Sequence, residues 1–154
     1  MLKNGMTLKK RLYQHCHQLL TERVTDAENG MLAAQKDSNS ETKSSAGNKY
    51  ETGRAMAQLE KERHARRRSE TLNTLYLLEG IGIVEAEEEV ALGSLVQTTH
   101  GFYFITVGLG RIELDGTSYN IASAESPIGE CLLGLESEDE FTFRGREHTI
   151  LSIV

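Results

Sequence analysis

Tryptophan is absent from this chain of 154 residues, proline occurs once and cysteine twice. Four Phe and five Tyr are the only aromatic residues, so a wide aromatic-lined pocket is not the default expectation. No apolar run approaches the ~20 residues that a bilayer span requires, and no membrane partner is expected. The N-terminal segment MLKNGMTLKKRLYQ lacks the continuous apolar core of a secretory signal. Cys16 and Cys131 stand far apart with no further cysteine framework, which points to a reducing, cytoplasmic location. The length suits one ordinary domain or two small ones and excludes most multidomain metabolic enzymes.

What is present is divided unevenly. The formal net charge is −6, but residues 1–80 hold 14 Lys/Arg against 10 Asp/Glu, a net of +4. Residues 81–154 hold 3 Lys/Arg against 13 Asp/Glu, a net of −10. Two modules with different surfaces follow from that asymmetry.

Between Thr7 and about Gln35 apolar residues fall at Leu8, Leu12, Cys16, Leu19, Val24, Ala27, Met31 and Ala34. Steps of three to five make a narrow helical stripe, with Thr7 as the expected N-cap and Gly30 as a weak point or bend. The segment Asp37–Asn48, nearly devoid of large apolar side chains, reads as a turn, part of which is open to helix. A second helical pattern runs from about Lys49 to Glu79 through Tyr50, Met56, Leu59, Leu72, Leu75 and Leu78. Neither narrow stripe buries enough area alone, so the pair is expected to fold as an antiparallel coiled-coil hairpin over residues 1–80.

After Gly80 the texture changes. An acidic linker, 81–89, precedes a run of short β-branched and aromatic segments separated by Gly-containing turns. Hairpin signals surround Thr99-His100-Gly101, Asp115-Gly116 and Arg144-Gly145-Arg146. Between them Ser126 at an N-cap, Pro127 at the first helical position and Gly134 past the end mark one short helix. Residues 90–154 therefore predict an antiparallel sheet with one short helix, and the chain as a whole an α+β protein.

Several residues carry two readings. Arg63, Arg66 and Arg67, with His64 and Arg68, are candidates for contact with nucleic acid or an acidic wall. The same residues, interleaved with Glu60, Glu62 and Glu70, also describe a solvated helix face laced by ion pairs. Cys131 with His100 or His148 as base would make a thiol nucleophile. Its place beside Leu132 and Leu133 favours a buried structural thiol instead. His15, Cys16 and His17 are consecutive, point around a helix rather than to one site, and predict no metal centre. No nucleophile–base–orienter set can be assembled, so an independent enzyme is not expected.

The run Ser126-Pro-Ile-Gly-Glu-Cys-Leu-Leu-Gly-Leu-Glu-Ser-Glu-Asp-Glu-Phe141 resembles the SPIG-x-ALLG-x-x-x-GDE signature of Gre transcript-cleavage factors. The preceding helical hairpin is similar to the Gre coiled coil, with Tyr50 near the start of its second helix. This resemblance implies an FKBP-like fold for residues 90–154. It also implies a bacterial RNA polymerase as partner, with the hairpin tip entering the secondary channel and touching nascent RNA at most indirectly. The docking surface it implies comprises Ser126, Pro127, Ile128, Gly129, Leu132 and Leu133 with the strand His148–Val154. An FKBP-like domain also raises prolyl isomerisation, but active members use an aromatic pocket, and a binding module is the expectation here.

At the tip the chain departs from the family. Aligned on Tyr50, the acids of its D-L-S-E-N-x-E-Y motif are replaced by Lys43, Ala46 and Lys49. Asp37 and Glu41 are the nearest substitutes, four residues apart and on one face where that stretch is helical. They are the candidate catalytic and metal-ligating residues, able to share a Mg²⁺ whose other ligands the polymerase supplies. No intrinsic cofactor and a monomeric state are expected. The functional expectation is a Gre-type elongation factor that occupies the channel without strong cleavage. The alternative is a protein-interaction adaptor using the same two modules on another machine.

Overall fold

The computed structural model describes residues 4–41 and 47–154, with the side chains of Glu41 and of residues 47–50 outside the description. Helix α1 spans Gly5–Glu41 and helix α2 spans Gly47–Ile81. Helix α1 begins two residues before Thr7, which lies inside the first turns; the Leu8 amide bonds to the Asn4 carbonyl at 3.1 Å. No proline interrupts either helix. Helix α2 ends where Gly82 takes φ 65° and its amide returns to the Leu78 carbonyl at 3.0 Å, a left-handed cap that glycine adopts without strain. Helix α1 continues through Asp37–Glu41, so the part of the expected turn left between the helices is 42–46, outside the described residues.

The chain divides into two compact units, Gln18–Tyr76 and Met1–His17 with Leu77–Val154, the division falling inside both helices. In the first unit the buried seam of α1 runs through Leu20, Val24, Ala27 and Ala34. Leu20 rather than Leu19 occupies it. On α2 the buried residues are Ala57 and Leu75, whereas Met56 and Leu59 are 63% and 61% exposed. Much of the seam between them is polar. Lys61 Nζ donates to Gln35 Oε1 at 2.6 Å, Arg68 Nε to Glu28 Oε1 at 2.9 Å, and the His64 ring lies over Gly30. Gly30 thus makes room for an imidazole between the helices.

In the second unit Lys9, Leu12 and Cys16 continue the buried face of α1, and Leu78 lies on that of α2. Six strands follow: β1 Leu95–Thr98, β2 Gly101–Thr106, β3 Gly110–Leu114, β4 Thr117–Ser123, β5 Glu140–Phe143 and β6 Arg146–Ile153, with helix α3 at Pro127–Leu132 between β4 and β5. The sheet order is β3-β4-β2-β1-β6-β5. It is mixed rather than antiparallel throughout, because β4 lies parallel to β2, pairing Phe104 with Ile121 and Ile105 with Ala122. The reason is topological. The tight Asp115-Gly116 turn folds β4 back from β3 into the place beside β2, leaving β3 at the edge.

Period-two alternation sends Val96, Tyr103, Ile105 and Ile150 to one face, where Ile128 and Leu132 of α3 join them in a buried core. Leu95, Phe104 and Ile121 form a cross-strand row on the opposite face and are also buried. Ser126 caps α3: its hydroxyl accepts from the Gly129 amide at 3.1 Å and donates to the Ser123 carbonyl at 2.7 Å. A side chain at Gly129 would overlap the Ser123 carbonyl oxygen and stand 2.7 Å from that of Ala124. Serine, proline and glycine in this segment each meet a local requirement of the backbone.

Candidate functional site

The residues expected to carry function fall in different places. Asp37 is exposed on α1, and Glu41 is four residues on, so helical geometry sets the two positions on one face. Asp37 borders a groove of about 410 Å³ between the helices, together with Ser40, Met56, Glu60 and His64. No cluster of three or more His, Cys, Asp or Glu suited to a metal ion exists among the described residues. A Mg²⁺ at this end of the hairpin would take most of its ligands from a partner, a demand that fits an ion which holds several waters. Lys43 and Ala46 lie outside the described residues, as does the side chain of Lys49.

The basic cluster is partly neutralised. Arg63 pairs with Glu60 at 2.8 Å and Arg68 with Glu28 at 2.9 Å, both exposed enough for solvent to screen them. Arg66 and Arg67 are exposed and make no ion pair among the described residues.

Of the expected docking residues, Ile128, Gly129 and Leu132 are buried and serve the core of their own unit. Pro127 and Leu133 are exposed and Ser126 is half-buried. Cys131 is half-buried rather than buried, and Cys16 is fully buried; both thiols are free. Burial pushes the Cys16 thiol up to about 12, so it stays protonated at neutral pH.

Two features escaped the sequence reading. Lys9 is 1% exposed, and its ammonium donates to the carbonyls of Val84 and Val154, both at 2.8 Å. Burial lowers its pKa to about 8. The other is a cavity of about 380 Å³ on the sheet unit, walled by His100, Tyr103, Phe143, Arg144, Arg146 and His148. The turn after β1 supplies His100, whose Nε2 lies 3.0 Å from the Glu147 carbonyl oxygen. Strand β6 supplies Arg146 and His148, two residues apart and so on one face. The His100 and His148 rings meet edge to face at 4.6 Å, Phe141 stacks on His148 at 4.8 Å, and the Arg144 guanidinium covers Phe143 at 5.2 Å. Burial lowers the His148 pKa, the nearby His100 and Arg146 lower it further, and a backbone interaction with Phe143 opposes them. The signal available in the sequence was the scarcity of cations in this acidic half together with Arg146 and His148 at strand spacing. Cys131 does not border the cavity, so the two histidines and that thiol are not brought together there.

Among the described residues no helix is long and apolar enough to cross a membrane. Comparison with protein-family models and with curated proteins yields no match.

Proposed function

We propose that this chain is a Gre-type accessory factor of bacterial RNA polymerase, not itself an enzyme, whose hairpin end enters the secondary channel. The observation that carries the reading is the segment Ser126–Gly134. Its Gre-like sequence is coupled in one chain to a helical hairpin of 37- and 35-residue helices. An FKBP-like assignment of the sheet unit belongs to the same reading. Contact with the polymerase falls to the exposed members of the signature, Pro127 and Leu133, with Ser126 at their edge, and to strand β6. The buried side chains of Ile128 and Leu132 act indirectly, by holding α3 in place, and Gly129 by allowing its close approach to the Ser123 and Ala124 carbonyls. Arg63, Arg66 and Arg67 face the channel wall, any contact with nascent RNA is indirect, and the factor acts as a monomer in the cytoplasm. Free thiols at Cys16 and Cys131 suit a reducing compartment.

Channel occupancy without strong transcript cleavage is the expected activity, because Lys43 and Lys49 stand where the family motif has acids. A cation ~4 Å from Mg²⁺ opposes its binding by roughly 8 kcal/mol at an effective dielectric of 20, twice the value for two unit charges. Asp37 and Glu41 are the only substitutes this reading offers for sharing the polymerase's Mg²⁺. The deciding experiment is capture of purified core polymerase at low salt, followed by a cleavage assay on a backtracked complex. Binding with little cleavage is the expected result. Robust Mg²⁺-dependent cleavage lost on Asp37→Ala or Glu41→Ala would replace it with a cleaving factor. No capture at low salt, where charge-assisted contacts are strongest, would favour the adaptor reading, to which the missing tip acids already lend weight.

A further inference from the structure

Residues 81–154 contain three arginines or lysines and two histidines against 13 acids. Four of those five basic side chains, Arg144, Arg146, His100 and His148, border one cavity, and no carboxylate borders it. Chance placement on so acidic a surface would surround each arginine with acids. Instead neither Arg144 nor Arg146 makes an ion pair among the described residues. His148 is 4% exposed, and its Nδ1 is buried with no hydrogen-bond partner of acceptable geometry. Arg144 itself sits at φ 52°, ahead of Gly145 at φ 74°, in a two-residue turn between Phe143 and Arg146. Such turns favour Asn, Asp or Gly at their first position, and the corresponding turn between β3 and β4 uses Asp115 at φ 51°. Arginine is therefore held in a strained conformation at the rim of a cationic cavity, where strain and function often coincide.

We propose that this cavity is a binding site for a small phosphate monoester. Arg144 and Arg146 bring two fixed positive charges to match a dianion, and guanidinium groups present paired N–H donors suited to phosphoryl oxygens. His148 walls the cavity beside the two arginines, and His100 is fixed next to it by its bond to the Glu147 carbonyl. The space, about 380 Å³, exceeds what a phosphate ion needs and falls in the range of small-ligand sites. Tyr103 and Phe143 give the remainder an aromatic lining, so the organic part of the ester is itself apolar or planar. The site does not depend on binding to a polymerase.

The test is a titration of the full chain with inorganic phosphate, phenyl phosphate and benzoate, read by NMR at the His100 and His148 ring protons and by calorimetry. Saturable millimolar binding is expected, tightest for phenyl phosphate. Arg146→Gln should weaken it at least tenfold, and Arg111→Gln should leave it unchanged. Arg144→Asn should weaken binding while raising the melting temperature, a combination that simple loss of structure cannot produce. Absence of saturable shifts at both histidines, or equal weakening by Arg111→Gln, overturns the proposal. Benzoate binding as tightly as phenyl phosphate overturns the phosphate assignment. A short oligoribonucleotide that displaces phenyl phosphate and binds more tightly overturns the assignment to a small ligand.

Discussion

Gly129 has no room for a side chain, since backbone oxygens of the β4–α3 connection occupy the space a Cβ would take. Backbone cannot swing aside as a long side chain can. Gly129→Ala should therefore cost about 3 kcal/mol, at the upper end of overpacking effects, seen as a lowered urea midpoint. Gly30→Ala tests a softer contact, because the atoms 2.5 to 2.7 Å from the new methyl belong to the His64 ring. A loss of about 1 kcal/mol is expected there, reversed in the double variant Gly30→Ala/His64→Ala, where alanine's helix propensity is free to act. Lys9 and Cys16 give the molecule an alkaline signature. The folded-state pKa of Lys9, about 8, lies below its ordinary 10.5, so the unfolded chain binds more protons between those values and stability rises with pH there. The Cys16 thiol, raised from 9.0 to about 12, acts oppositely: above pH 9 the unfolded thiol ionises first and stability falls. Denaturation curves should show a gain of about 1 kcal/mol from pH 8 to 9, followed by a plateau. Lys9→Met should remove the gain, and Cys16→Ala should prolong it. A wild-type curve flat from pH 8 to 9 would contradict the buried-ammonium account.

The helices and hairpins were legible at the level of single elements, because their signals are local. Helical spacing marked α1 and α2, and Ser126, Pro127 and Gly134 bracketed α3. Ser126→Ala should confirm that cap by costing about 1 kcal/mol, with the loss absent in Ser126→Asp. What the pattern missed was identity within a stripe. A lysine at a seam position reads as surface, so Leu8 was preferred to Lys9, and Met56 and Leu59 were preferred to Ala57. The α2 seam is carried by Lys61, His64 and Arg68 between its apolar ends, and polar residues leave no hydrophobic period to detect. Hydrogen exchange should reflect that composition. Amides of Gln18–Tyr76 are expected to exchange faster than those of β1 and β2, which carry buried side chains on both faces. Equal protection in the two units would show that the polar seam holds as firmly as the sheet core.

For the molecule as a whole, strand partners were the least legible feature. Sequence shows that β2 and β4 are strands, but not that β4 comes to lie parallel to β2, because that pairing is decided by how β3 and β4 share the edge. The cavity of His100, Arg144, Arg146 and His148 was hidden for the same reason: residues 44 positions apart meet only once β1 and β6 pair. Capture of the polymerase should weaken with rising salt if Arg63, Arg66 and Arg67 face an acidic wall. Replacing all three with glutamine should flatten that salt dependence, and an unchanged slope would move the contact elsewhere. The bond from Lys9 to Val154 has a further consequence for the order in which the protein is made. Lys9 is synthesised well before one acceptor of its ammonium, which is 145 positions later. The same final stretch supplies β6, which closes the sheet against β1. At translation speeds of ~5 to 20 residues per second, many seconds separate the ammonium from this acceptor, and the Val84 carbonyl is made in between. Burial of this ammonium between two carbonyls is therefore complete only once the stretch carrying β6 and Val154 has been made.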